Sequence, residues 1–314
     1  MTNTVKSNTL HFGLLTTLAI AFFILPTYHS GNLAQVMVFA IYAMGYNVLF
    51  GYTGLLSLGH ALFFSAGMYG LGLTMHLGGW SPAPAFLAAL IASAIVATVI
   101  GFLVLRTTGV AFMIVTLMFA QAGYLTILYF GTYTRGDEGF ALKQATRQLM
   151  GLDLTDPIVR YYTALILFGT ALLLLAYIIR SPFGRTLIAI RENEERARML
   201  GYNVTAIKLK AVILSGIISG ASGAAYALLY GYAGATFATV QYSILPLLWV
   251  LVGGAGTTTG AFVGVLFMTY LIDYASGKTD AYLIVVGVVL VAVTLFLPHG
   301  IMGTLRNKYA GWLP

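Results

Sequence analysis

The chain has 314 residues, of which 8% are charged and 59% hydrophobic, with a mean hydropathy of +0.90 and no cysteine. Soluble globular domains carry about 25% charged residues, so the composition excludes that class and specifies an all-α polytopic membrane protein. The absence of cysteine removes disulfides, thiolate metal sites and cysteine nucleophiles, and the formal net charge of +7 is no sign of nucleic-acid binding, because the positive residues cluster beside apolar spans.

In chain order, Lys6 is followed by an apolar run to Leu25. Pro26-Thr27-Tyr28-His29 offers no small-x-small cleavage site, so this run is expected to be a retained first span and not a signal peptide. No Lys, Arg, Asp or Glu lies between Lys6 and Arg106, and further gaps cover 107–134, 161–179, 211–272 and 281–305. A crossing needs about 20 apolar residues. The expected spans are 9–28, 33–50, 60–78, 84–105, 108–130, 159–179, 210–233 and 281–298, with 243–272 open.

Counting Lys and Arg in the connections sets the orientation. With the N-terminus cytoplasmic, the inner side holds 11 and the outer side 5, which also places the C-terminus in the cytoplasm. Parity then requires either a re-entrant pair or two short crossings within 234–280, giving eight to ten transmembrane helices. The whole chain, 1–314, reads as one membrane domain with an outer loop at 131–158 and an inner loop at 180–209.

Residues Asn47 to Gly59 place Gly51, Gly54 and Gly59 among Asn47, Thr53 and Ser57 in an apolar run; a second such stretch holds Gly253, Gly254, Gly256 and Gly260 with Thr257, Thr258 and Thr259. Non-helical backbone at membrane depth persists only where protein or a water-filled cavity satisfies its amides, and transporters place substrate paths at such breaks. The two stretches echo each other at an offset of 202, Val48 to Gly54 against Val250 to Gly256, which suggests an internal repeat. The candidate path is therefore Asn47, Gly51, Thr53, Gly54, Ser57, Gly59, His60, Gly253, Gly254, Gly256 and Thr257, with Thr116, Gln121 and Ser243 as further polar candidates. Close helix packing is the competing reading. It is preferred for Ser215, Gly216, Ser219, Gly220 and Gly223, and Gly256, Gly260 and Gly264 form a similar ridge.

The inner loop from Arg180 to Lys210 holds seven of the 16 basic residues, interleaved with Glu192, Glu194 and Glu195. Asn193 is a good N-cap, two acids occupy the first turn and Gly201 supplies a stop, so 194–200 is expected to be a short helix. At ~1.5 Å per residue it spans about 10 Å, too short to fold alone, so it must rest on the membrane domain, on anionic headgroups or on a partner. Three carboxylates favour a protein partner over lipid.

No Asp or Glu falls inside a span, and His60 and His76 are the titratable groups expected there, so a proton relay is not indicated. No Gly-x-x-x-x-Gly-Lys sequence is present, so the chain is not itself an ATPase. His11, His29, His60, His76 and His299 lack metal-ligand spacing, which argues against a metal site and an intramembrane enzyme. A passive channel leaves the charged loop without a purpose.

The residues resemble a known family. Ser181-Pro182-Phe183-Gly184-Arg185, Ala189-Ile190-Arg191-Glu192-Asn193-Glu194, Arg196-Ala197 and Leu200-Gly201 look like the cytoplasmic loop of LivM-type permease subunits of bacterial ATP-binding cassette importers for branched-chain amino acids. The likeness continues in Gly51 to Ala61, Gly253 to Thr257 and Pro298 to Gly303. It implies a non-catalytic transport subunit of the bacterial inner membrane working by alternating access. It further implies a second homologous permease, two ATP-binding cassette subunits that hold ATP and magnesium, and an extracytoplasmic solute-binding protein; the chain itself would hold no cofactor. The ATPase-docking residues by this likeness are Phe183, Gly184, Arg185, Arg191, Glu192, Asn193, Glu194, Arg196, Ala197 and Gly201. In the outer loop, Thr134-Arg135-Gly136-Asp137-Glu138-Gly139 departs from the family's Thr-Gly-Gly-x-x-Gly, which leaves urea or short amides as alternative cargo.

Overall fold

The computed structural model describes residues 3–149 and 151–308, with side chains from Ser7 onward, so the side chain of Lys6 lies outside the described residues. The chain is helical almost throughout. Helix α1 (Asn3–Ile24) is followed after Pro26 by α2 (Thr27–Asn47), which continues into a π-helical turn, Val48–Thr53. Then come α3 (His60–His76), α4 (Pro82–Val104), α5 (Gly109–Tyr129) and the short α6 (Gly131–Thr134). The loop beyond α6 holds β1 (Phe140–Ala141), β2 (Gln148–Leu149) and β3 (Leu152–Asp153). Next are α7 (Pro157–Arg180), α8 (Pro182–Glu192), α9 (Glu194–Met199), α10 (Val204–Tyr230) and β4 (Tyr232–Ala233). The chain closes with α11 (Val240–Gly253), α12 (Gly260–Ser276), α13 (Tyr282–Phe296) and α14 (Gly300–Lys308).

Among the described residues, seven helical stretches are long and apolar enough to cross a bilayer, and α11 and α12 are shorter apolar helices. At ~1.5 Å per residue α11 and α12 measure about 21 and 25 Å, short of the ~30 Å hydrocarbon core. The open region is therefore a pair of short helices. The break between the first two spans sits at Pro26, so α1 ends at Ile24 instead of 28 and α2 begins at Thr27 instead of 33. Proline cannot continue α1 but is tolerated just before α2, whose Ser30 amide bonds the Pro26 carbonyl.

Helices α2 and α10 form the centre. Every residue of α2 from Val36 to Asn47 is buried, and α10 packs on α2, α3 and α4 through its small residues. A Cβ on Gly67 would lie 1.9 Å from the Gly220 carbonyl oxygen, and one on Gly223 would lie 1.9 Å from that of Phe64. Gly216 meets Ala97, and Gly45 meets Ser215 and Ser219. The ridge 215–223 is thus a packing surface, as its spacing suggests. Helix α5 lies at the periphery, with only Phe112, Thr116 and Ala120 buried.

At one end of the bundle β1 pairs antiparallel with β4, Phe140 opposite Ala233, and β2 pairs with β3. Arg147 Nη1 donates to the carbonyl of Leu229 at 3.2 Å, where α10 ends at Gly231 with φ +70°. The opposite end gathers α8, α9, α14 and both glycine-rich stretches.

Candidate functional site at the inner loop and the broken helices

The inner loop folds as two helices, α8 and α9, and the sequence reading missed the first. Its signal was Ser181-Pro182: the Ser181 hydroxyl accepts from the Gly184 amide at 3.4 Å and Pro182 takes the first helical position. Helix α9 is as expected, since Asn193 Oδ1 accepts from the Arg196 amide at 2.8 Å and Gly201 has φ +86°.

The ten candidate docking residues divide into seats and exposed groups. Gly184 lies so close to Ile179 that a Cβ would sit 2.3 Å from its carbonyl oxygen, and Phe183 packs against the main core. Ala197 is buried with Ile190 and Val204, which seats α9 on α10. Glu194 turns inward, accepting from Lys208 Nζ at 2.5 Å and Arg198 Nη2 at 2.8 Å. Partial burial opposes its charge, but Lys208 and Arg198 outweigh that and hold its carboxyl below the usual range. Arg185, Glu192, Asn193, Arg196 and Gly201 are exposed, as are Met199, Leu200 and Tyr202 at the tip.

Arg191 reaches back into the membrane body. Its Nη1 donates to the Gly51 carbonyl on the π-helical turn, and its stem lies against Gly54. Arg306 on α14 donates to the Gly256 carbonyl at 3.4 Å. Cations at these places oppose the negative C-terminal ends of α2 and α11. Nothing in the spacing of the sequence pointed to Arg306.

The two echoing glycine stretches meet. Asn47 Nδ2 donates to the Thr257 carbonyl and Asn47 Oδ1 accepts from the Gly256 amide, both at 2.9 Å. Gly51 is packed so closely that a Cβ would fall 2.5 Å from the Gly256 nitrogen. Gly54 and Gly256, equivalent in the echo, have φ of +76° and +75°, a conformation that favours glycine. Each broken helix is followed by a linker and a 17-residue helix, α3 or α12. Gly253 touches Gly260, and Gly254, with φ +116°, abuts Gly303 and His299 of α14.

The polar candidates satisfy this irregular backbone. Thr53 donates to the Val48 carbonyl at 2.8 Å, and Thr257 to that of Gly254 at 2.7 Å. Ser57 accepts from the Gly59 amide, Thr116 from that of Leu58 and Ser243 from that of Ala61. His60 Nε2 pairs with the Ser215 hydroxyl at 2.8 Å. The void beside Ser57 and Thr116 is about 10 Å³, room for about one water. His11, omitted from the expected titratable groups, is buried on α1 with Nε2 2.9 Å from the Thr258 hydroxyl. His76 lies at the far end of α3 against Phe140. Gln121 differs from all of these: it is exposed on α5 with no hydrogen-bond partner among the described residues. No group of three or more His, Asp or Glu residues able to hold a metal occurs among the described residues.

Residues 28–294 match the family model described as branched-chain amino acid transport system / permease component. The chain is similar to the high-affinity branched-chain amino acid transport system permease protein LivM of Salmonella typhimurium, at 28% identity over 98% of this chain and 77% of that protein. It is also 28% identical to the Escherichia coli protein of the same name, over 87% of this chain and 69% of the other. A shorter match, 31% identity over 29% of this chain and 28% of the other, is to the autoinducer 2 import system permease protein LsrC of Klebsiella pneumoniae. No solved structure matches the chain. With 267 of its 314 residues inside the family model, the chain belongs to the permease components of branched-chain amino acid transport systems.

Proposed function

We propose that this chain is one of two membrane-spanning permease subunits of an ATP-driven importer that moves leucine, isoleucine or valine into the cytoplasm by alternating access. Its power comes from two separate ATPase subunits seated on α8 and α9. A second permease chain and an external solute-binding protein complete the assembly in the bacterial inner membrane, with both termini of this chain cytoplasmic.

The observation that carries this reading is the bond from Arg191 to the Gly51 carbonyl. It joins the charged loop directly to the break in α2, so a push on α8 reaches the membrane body without an intervening flexible segment. The exposed apolar tip of Met199, Leu200 and Tyr202 supports docking on a protein groove, since water does not favour such side chains unpaired. The packed state of Asn47, His60 and Thr257 supports their serving as a joint, while the path runs along the outer face of α5. There Gln121 offers an amide at membrane depth that lipid cannot satisfy, and a second permease chain facing α5 would enclose it.

The test is uptake by the reconstituted assembly, with labelled leucine and labelled urea offered separately through their binding proteins. ATP-dependent leucine uptake is expected. Uptake of urea alone would overturn the cargo, and leucine movement by this chain without any ATPase subunit would overturn the mechanism.

A further inference from the structure

Beneath the inner loop lies a cavity of about 270 Å³, near the small end of ligand sites, which start at about 300 Å³. It is bounded by four elements: the residues after the π-helical turn, the start of α5, the α8–α9 junction and the first turn of α10. One wall is aliphatic, made by Leu55, Leu105 and Ile190. The rest is polar and of both signs.

Two charged groups in this lining have bonding capacity to spare. Glu192 has no ion pair or hydrogen bond among the described residues. Among the described residues Arg191 donates only one bond, from Nη1 to Gly51, although a guanidinium has five N–H donors. Glu194, Lys208 and Arg198 already neutralise one another in part. The lining therefore combines an acceptor for an ammonium, a fork for a carboxylate and a hydrocarbon surface. The whole lining carries three cations, Arg191, Arg198 and Lys208, against the acids Glu192 and Glu194, a balance suited to a zwitterion more than to a polyanion.

We propose that this cavity binds the zwitterion of an aliphatic amino acid from the cytoplasmic side, and that its occupation clamps the inner loop to the start of α5. The inference rests on the importer reading and extends it: the accumulated product returns to the transporter as a brake. The carboxylate meets Arg191, the ammonium meets Glu192 and the side chain lies on Leu55, Leu105 and Ile190. A ligand held by Arg191 and Glu192 of α8 and packed on Leu105, beside the start of α5, ties the inner loop to the helix that must move past it, so it favours one state and slows turnover in proportion to that difference in affinity.

The experiment uses the assembled complex in proteoliposomes, with ATP inside and binding protein plus labelled leucine outside. Internal unlabelled leucine is expected to lower the initial uptake rate at least fivefold. Internal N-acetyl-leucine, which lacks the ammonium, and leucinol, which lacks the carboxylate, should leave it unchanged. Thr205 and Thr108 are exposed lining residues outside the docking and helix-break residues. Thr205→Phe, or Thr108→Phe as a second filler, should transport normally into unloaded vesicles and lose the brake. Equal rates with and without internal leucine would overturn the inference and leave the importer reading intact. Loss of ATPase assembly in both filled variants would also overturn it, by making the cavity a docking socket. If unloaded vesicles take up no leucine, the importer reading fails. Equilibrium binding of labelled leucine to the complex without binding protein, abolished by Thr205→Phe, then decides the cavity on its own.

Discussion

Asn47 is the position at which the architecture can be tested most sharply. Its fully buried amide makes two bonds to the other glycine-rich stretch, donating to the Thr257 carbonyl and accepting from the Gly256 amide. Asn47→Ala leaves both backbone groups buried with nothing to replace the side chain, and each unsatisfied group costs about 1–3 kcal/mol. The expected loss is therefore about 2–6 kcal/mol, before any contribution from the cavity. At about 1.4 kcal/mol per factor of ten, even the lower bound speeds local opening about thirtyfold. Hydrogen exchange of the 254–259 segment, followed by mass spectrometry in detergent, reads that opening directly. Denaturant titration of the same sample reads the global change. A variant that keeps its 254–259 protection and loses less than about 1 kcal/mol would refute the view that Asn47 staples the two breaks together.

Arg191→Ala should reduce uptake at least tenfold while the ATPase subunits still co-purify, because its Nη1 faces Gly51 and not the partner; loss of co-purification would return Arg191 to the docking surface. Gly264→Ala puts a Cβ 1.8 Å from the Trp249 carbonyl oxygen and should destabilise by about 1–3 kcal/mol, whereas Gly287→Ala, with nothing within 4 Å, should be neutral; equal melting temperatures would contradict the α11–α12 contact. The folded pKa of Glu194 lies below its ordinary 4.5, so its contribution is complete above that value and is lost as pH falls below it. Wild type should therefore lose more stability than Glu194→Gln on acidification through this range, and parallel pH curves would refute the Lys208 pairing. Cysteines at Leu62 and Gly123, whose added Cβ would lie 3.6 Å from Leu62 Cγ, should cross-link α5 to α3 in this cysteine-free chain. Oxidation is expected to stop uptake and reduction to restore it; transport by the oxidised form at the reduced rate would show that α5 need not move.

Seven of the eight expected spans were legible because lipid imposes a simple rule, long apolar runs broken where charges or proline stop them; the expected span 60–78 is instead the 17-residue α3, which is not among the seven. Pro26 nevertheless shifted two boundaries, since an apolar run reads alike on both sides of a turn. Asn193 and Gly201 announced α9 through local bonds that involve no distant residue. The roles of Arg191 and Glu194 were hidden for the opposite reason: their partners, Gly51 and Lys208, lie 140 and 14 residues away, and composition made both look like surface charges. Glycines were ambiguous in the same manner. Gly220 and Gly51 look alike in sequence, yet one receives Ser93 from a neighbouring helix and the other sits at a helix break. The echo at an offset of 202 was the one long-range signal visible in the sequence, and its two copies touch.

The pattern of bonds limits what can move. Asn47 holds the ends of α2 and α11 together, Gly253 and Gly264 hold α11 to α12, and Arg191 and Arg306 tie those ends to α8 and α14. A force on the inner loop therefore displaces this group as a body, because the two Asn47 bonds are buried and costly to leave unmade and the glycine contacts leave no room between α11 and α12. Helix α5 has no such tie. It contributes three buried residues, accepts one bond from the 54–59 linker through Thr116 and faces outward with Gln121. An element with few buried contacts is the one that yields first when its neighbours are pushed. Relative motion between the stapled body and α5 is thus a low-cost rearrangement of this fold, and it would open and close the surface on which Gln121 lies.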